Sequence, residues 1–240
     1  RQVELNRRMN KRFGEAIGLL NLGYNYAQLG LLELGRQALE DSLEITAAVS
    51  ARHLTLYAWL NLGLIGWRRG DYETTAKRLT GTIDELAALG DAFGRAAGLS
   101  YLGLVLEGCG DQIAAQRKFQ EAHDAFGAAG QEAYAHDARA GLLRCSLEVN
   151  DLAGARVLAD ELWTYLAGGG ARAMEFPALA FVSCARAFDQ LGDSQLARDV
   201  VAAGYEDLTD RAGKIRDLDW RRSFLENVEE HRTLGLMVSQ

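Results

Sequence analysis

Four histidines (His53, His123, His136, His231) and three cysteines (Cys109, Cys145, Cys184) are the side chains best suited to nucleophilic or metal chemistry, and their spacing argues against both. No His-x-x-x-His or Cys-x-x-Cys pair occurs, so zinc has no ligand set in the sequence. His136 and Cys145 share one expected helix, but at ~1.5 Å per residue their nine-residue separation is about 13 Å. A nucleophile and its base need hydrogen-bond contact. The histidines therefore read as surface or boundary residues, and the thiols, at different phases of successive helices, as small buried packing groups. Gly168-Gly169-Gly170 lacks the Gly-Lys-Ser/Thr ending that puts a lysine on phosphate, which leaves it a spacer. The carboxylates Asp217, Asp219, Glu226, Glu229 and Glu230 alternate with Arg216, Arg221, Arg222 and Arg232 at helical spacings, the pattern of a solvated, salt-bridged face. No catalytic residue, metal or cofactor is expected. An enzyme would need a pocket with a perturbed acid-base pair, which nothing in the sequence advertises.

The elements that would position any site are repeated. Leu22-Gly23 with Gly30, Leu62-Gly63 with Gly70-Asp71, and Leu102-Gly103 with Gly110-Asp111 stand 40 residues apart (30, 70, 110). Further turns follow at Asn150-Asp151 and Gly192-Asp193. A unit of that length holds two helices of about 18 residues and two tight turns. Apolar residues at helical spacing, for example Leu56, Leu60, Leu64 and Trp67, then Leu79, Ile83 and Leu86, predict the pairs 12–29 with 32–49, 52–69 with 72–89, 92–109 with 112–129, 132–149 with 152–167, and 175–191 with 194–210. The resulting repeats are about 12–50, 51–90, 91–130, 131–170 and 171–212, with a capping helix at about 213–237. Residues 1–10 match 41–50 in phase and read as the tail of a second helix. Neither helix of a pair buries its apolar face alone, so stacking on neighbours must stabilise the array as one domain over 1–240.

Gly30, Gly70, Gly110 and Gly192, with Asn150 in the fourth repeat, are placed to close helices in the left-handed conformation. Asp71, Asp111, Asp151 and Asp193 follow as caps of the next helix. Gly23, Gly63 and Gly103 lie mid-helix, where glycine costs ~1 kcal/mol against alanine. Their recurrence points to close approach of the paired helix, with Ala115, Ala155 and Ala197 as the small residues opposite. The stretch 167–173, Ala-Gly-Gly-Gly-Ala-Arg-Ala, predicts a hinge or disordered loop before Pro177, which suits a first helical turn.

The net charge of −7 argues against a nucleic-acid surface. An odd number of cysteines without framework spacing suggests reduced thiols and a cytoplasmic home. No apolar run approaches the ~20 residues of a membrane span. The chain opens Arg-Gln-Val-Glu, without an initiator Met or signal, and is read as a piece of a longer protein.

With these phrases in place, the repeats resemble tetratricopeptide (TPR) repeats. That signature, Trp-x-x-Leu-Gly-x-x-Tyr, then Gly, then Ala, Phe and Ala in the second helix, is matched by Leu22-Gly23-Tyr26-Gly30 with Leu39, and best by Leu102-Gly103-Gly110-Asp111-Ala115-Phe119-Ala122. The second repeat departs with Gly66 for Tyr and Thr75 for Ala, and the fourth and fifth lack the Leu-Gly pair. The unit is 40 residues against the usual 34, a length that makes HEAT-type repeats the structural runner-up. Long units opening Asn-Lys-Arg-Phe-Gly-Glu-Ala (10–16) and Gly-Asp-Ala-Phe-Gly-Arg-Ala (90–96), with the ending Arg-Ser-Phe-Leu-Glu-Asn-Val (222–228), resemble the C-terminal repeat arrays of large bacterial signalling ATPases and multidomain regulators. The resemblance implies an all-α, right-handed superhelical solenoid of about five helix pairs plus the cap. It further implies a non-catalytic, protein-binding regulatory scaffold, with the first helices lining a concave face.

On that phase the groove would hold Asn21, Tyr24, Tyr57, Asn61, Trp67 and Tyr101, then Asp137, Arg144 and Arg186, changing from apolar-aromatic to charged. Asn21 and Asn61 stand where related arrays use asparagine to hold a peptide backbone, and an amide can donate and accept at once. The lysine clamp that some members use on chaperone carboxylates is not matched, since Leu20 and Tyr24 occupy its places. The expected partner is a protein or peptide segment, or another domain of the same protein, with homodimerisation as the alternative and no nucleic acid or membrane.

Overall fold

The computed structural model describes residues 3, 4, 6 and 11–238, and among them twelve α-helices and one 3-10 turn follow one another with no strand. The helices are α1 (Arg12–Gln28), α2 (Leu32–Ala48), α3 (Arg52–Arg69), α4 (Tyr72–Ala88), α5 (Ala92–Gly108), α6 (Gln112–Ala128), α7 (Glu132–Glu148), α8 (Leu152–Ala167), α9 (Pro177–Gln190), α10 (Ser194–Gly213), α11 (Leu218–Glu226) and α12 (Glu229–Val238). Through α9 the ends fall within two residues of those the glycine-aspartate phase predicts. Most of the reading for residues 1–10 lies outside the described residues; Val3 packs against Ala16, Leu19, Ala38 and Ile45.

The turns explain this accuracy. Gly70 at φ +78° and Asn150 at φ +58° take the left-handed residue that ends α3 and α7, and Asp71 N–H and Asp151 N–H return to carbonyls five residues back. The aspartates divide. Asp111 accepts from Ala114 N–H (3.1 Å) and Asp151 from Gly154 N–H (3.0 Å) as caps, and so does Asp91 from Gly94 N–H (2.8 Å). Asp71 and Asp193 make no capping bond and instead pair with Arg69 and Arg156.

The chain forms two compact units, residues 1–109 and 110–240, and the boundary falls at the turn inside the third repeat. In the N-terminal unit α1, α3 and α5 pack side by side, while α2 lies on α1 and α3, and α4 on α3 and α5. Leu39, Leu56, Leu60, Leu64 and Leu79 are buried to within 2%. Each such side chain contributes roughly 2 kcal/mol of transfer free energy, so the apolar stripe of each helix is consumed by its neighbours. A Cβ on Gly23 would sit 2.5 Å from Leu39 Cγ, and one on Gly63 2.5 Å from Leu79 Cδ2. Gly23 and Gly63 are therefore notches. What fills them is a leucine forty residues apart (39, 79), where the sequence pattern pointed to small residues alone. The second repeat's two departures also belong together, since a Cβ on Gly66 would lie 2.1 Å from Thr75 Oγ1.

In the C-terminal unit α7 packs on α6 and α8, and α9 packs on α7, α8 and α10. Phe119, Phe126, Leu143, Leu162 and Phe188 are buried to within 2%. The terminal cap is two helices, because the chain breaks at Asn227-Val228, and α12 takes the place that a further first helix would have against α9 and α10. Glu230, expected on a solvated face, is buried at 6%. The glycine-rich 167–173 is also no loose hinge. It forms the turn Gly170–Ala173 with Ala171 and Met174 buried, and Arg211 donates to Ala171 O at 2.7 Å.

Candidate partner-binding site

The N-terminal unit holds six of the nine sequence-derived site residues, and the packing separates those open to a ligand from those consumed by the core. Asn21 on α1 is exposed and Asn61 on α3 is half-buried, and neither side-chain amide has a hydrogen-bond partner among the described residues. Tyr24 is half-buried and accepts from Gln28 Nε2 at 3.0 Å. Trp67 is half-buried beneath Arg68, whose guanidinium carbon is 5.0 Å from the ring centroid. Because α1 and α3 pack side by side, one 40-residue step brings equivalent amides to adjacent helices. Tyr101 on α5 is buried at 5% and belongs to the packed interior. Leu60 and Leu64, in phase with the same face, are core residues.

Tyr57 is held more tightly than sequence phase shows. His53 Nε2 lies 2.6 Å from Asp91 Oδ2, the His53 and Tyr57 rings meet edge-on at 5.1 Å, and Tyr57 hydrogen-bonds to Asp91. Burial, reinforced by the Asp91 charge, pushes the Tyr57 hydroxyl up to about 12. It therefore stays a neutral donor to the Asp91 carboxylate. Asp91 works three ways, capping α5 while accepting from Tyr57 and His53.

Three site residues fall in the C-terminal unit. Arg144 on α7 is half-buried, donates to Ser183 Oγ at 3.2 Å and lies over the Phe119 ring at 5.7 Å, a structural cation as much as a surface one. Arg186 on α9 is exposed and lines a cavity of about 520 Å³ with Asp189, Arg198, Met237 and Val238. Asp137, read as a groove residue, is buried instead. Its two carboxylate oxygens accept from Glu175 N–H (2.8 Å) and Phe176 N–H (3.0 Å), tying α7 to the start of α9. Burial, with the Glu175 charge adding to it, pushes this carboxyl up to about 8 against the two N–H donors and Arg144.

His136 also moves from boundary to interior, 7% exposed, with its ring stacked on Tyr165 at 3.7 Å and Nδ1 2.9 Å from Arg139. Burial, then the charge of Arg139, brings it down to about 4. His231 is likewise buried, with Nδ1 2.7 Å from Phe224 O. Cys145 and Cys184 are buried as their types suggest, and Cys109 is exposed. Among the described residues no cluster of His, Cys, Asp and Glu could hold a metal, and no helix is long and apolar enough to cross a membrane.

Consecutive antiparallel helices, first helices packed on first helices, and glycine notches filled by the second helix define a TPR-like helical-repeat fold. No protein-family model matches the sequence, and no curated protein matches it. Among solved structures it is similar to a Rap protein complexed with Competence and Sporulation Factor, at TM-score 0.62 and 14% identity, over 94% of this chain. The chain spans 64% of that protein's length. An identity this low bears on fold.

Proposed function

We propose that this chain is a non-catalytic scaffold that binds a polypeptide partner along the first helices of its N-terminal unit. The observation that carries the reading is the pair Asn21 and Asn61, one repeat apart on adjacent helices, with amides that nothing else in the described chain engages. An amide without an internal partner can accept from a peptide N–H and donate to its C=O without breaking a bond. Tyr24 on α1 and Trp67 on α3 offer flat, half-buried surface for side chains, the residue types that anchor interfaces. The Rap neighbour, captured with a second molecule, supports a binding role for this fold. Restraint of another part of a larger signalling protein, cytoplasmic and bacterial, fits the likeness of the repeat phrases to regulatory arrays. Self-association is the second reading, and light scattering over a concentration series separates it.

The test selects peptides from a displayed random library on the folded chain and measures their affinity for Asn21→Ala, Asn61→Ala and the double variant. Each amide contacting a peptide backbone should contribute about 1 kcal/mol, so the double variant should lose roughly tenfold or more with an unchanged Tm. Selected peptides that bind the double variant as tightly as the parent would remove the site from α1 and α3.

A further inference from the structure

On the other side of α3, still within the N-terminal unit, a groove runs between α3 and α4. A cavity of about 470 Å³ is lined there by Arg52, Leu56 and Trp59 of α3 and by Thr74, Lys77, Arg78, Gly81, Thr82 and Glu85 of α4. Three cations face one carboxylate, in a chain whose net charge is −7. Arg52 pairs with Glu85, and Lys77 with Glu73 at 2.8 Å, all four well exposed, so solvent screens both pairs and a ligand can compete for them.

Arg78 is different. Its guanidinium lies over the Trp59 ring at 4.1 Å, and among the described residues no carboxylate pairs with it. Contact with the ring holds the guanidinium at the groove wall and leaves its N–H donors for an incoming acceptor. A planar guanidinium is the group that takes a carboxylate through two parallel hydrogen bonds.

Gly81 supplies an independent observation. It sits inside α4, where glycine costs ~1 kcal/mol against alanine. Gly63, in the partner helix, repays that cost by admitting Leu79; a Cβ on Gly81 would meet nothing within 4 Å. No contact within the chain requires a glycine there, yet it forms part of the groove wall. A missing Cβ on a groove wall lets another backbone come close.

We infer that this groove binds an acidic polypeptide segment, with Arg78 on Trp59 as the carboxylate anchor and Gly81 as the point of closest approach. A free ion would leave most of the cavity and its apolar floor of Leu56 and Trp59 unfilled. The wall from Thr74 to Glu85 spans eleven rises, about 16 Å, the length of about five extended residues. The inference is independent of the amide site on α1 and α3.

Fluorescence anisotropy of a fluorescein-labelled pentaglutamate amide, titrated with the whole chain at low salt, tests it. Saturable binding that weakens with added salt is expected, with pentalysine showing none. Arg78→Gln and Trp59→Leu should each weaken it about tenfold or more, whereas Lys214→Gln, which removes an exposed cation of the C-terminal unit, should leave it unchanged. Gly81→Ala carries the sharpest expectation, a higher Tm together with weaker binding. Failure of pentaglutamate to bind, equal binding by Arg78→Gln, or undiminished binding by a stabilised Gly81→Ala would each overturn the inference. Displacement by oligothymidylate or inorganic phosphate in preference to unlabelled pentaglutamate would reassign the groove to phosphates and overturn it equally.

Discussion

Alanine substitution at Gly63 and at Gly81 makes the same chemical change in the two helices of one repeat and should move stability in opposite directions. Helix propensity favours both by about 1 kcal/mol. At Gly81 nothing lies within 4 Å of the new Cβ, so the gain should appear nearly whole. At Gly63 the Cβ would lie 2.5 Å from Leu79 Cδ2, 2.9 Å from Cγ and 3.2 Å from Cδ1, and Leu79 is fully buried. Three close contacts with a side chain packed on every side force an off-rotamer leucine or a helix displacement, costing roughly 1–3 kcal/mol. Net destabilisation of up to about 2 kcal/mol at Gly63, against about 1 kcal/mol of stabilisation at Gly81, separates the variants by roughly 1–3 kcal/mol. Urea unfolding followed by circular dichroism reads the difference, and constancy of the slope shows that cooperativity is retained. Leu79→Ala supplies a control. Alone it should cost about 2–5 kcal/mol, and combined with Gly63→Ala it should cost less than the sum, because the new methyl enters space the leucine has vacated. Equal shifts at Gly63 and Gly81, or strict additivity with Leu79→Ala, would refute the notch as the reason for the mid-helix glycine.

Gly66→Ala should destabilise by roughly 1–3 kcal/mol through Thr75 Oγ1, and adding Thr75→Ala should recover much of the loss, measured by the same unfolding curves. Asp151→Ala removes the cap on Gly154 N–H and should cost about 1 kcal/mol. His136 has its folded value lowered to about 4 by burial and Arg139, so its contribution is intact above pH 6.5 and is lost as pH falls towards 4. His136→Phe, which keeps a ring against Tyr165, should flatten Tm over that window, and an unaltered acid slope would contradict the burial. Asp137 has the opposite sign. With its carboxyl raised to about 8, its contribution is full below pH 4 and declines as pH rises through 8, a decline that Asp137→Asn should remove.

Helix boundaries through α9 and the repeat phase were legible in the sequence because local chemistry dictates them, whereas the break of the cap into α11 and α12 was not. A left-handed turn needs Gly70 or Asn150, a helix start favours Asp111 or Asp151, and a 40-residue recurrence of both leaves little freedom between. Asn21 and Asn61, named from that phase and the repeat resemblance, carry amides without a hydrogen-bond partner among the described residues. Tertiary structure decided what helical phase leaves unspecified, namely which of several residues on a face meets a neighbour. It buried Tyr101, Leu60 and Leu64, and placed Leu39 and Leu79 in the glycine notches. It also turned Asp137 from a groove residue into the tie to Glu175 and Phe176, a contact 38 and 39 residues away in the chain. The same holds for Arg78 on Trp59, which lie on different helices and share no sequence signal. Local rules act over four or five residues, whereas these pairings depend on the angle and rotation at which whole helices pack.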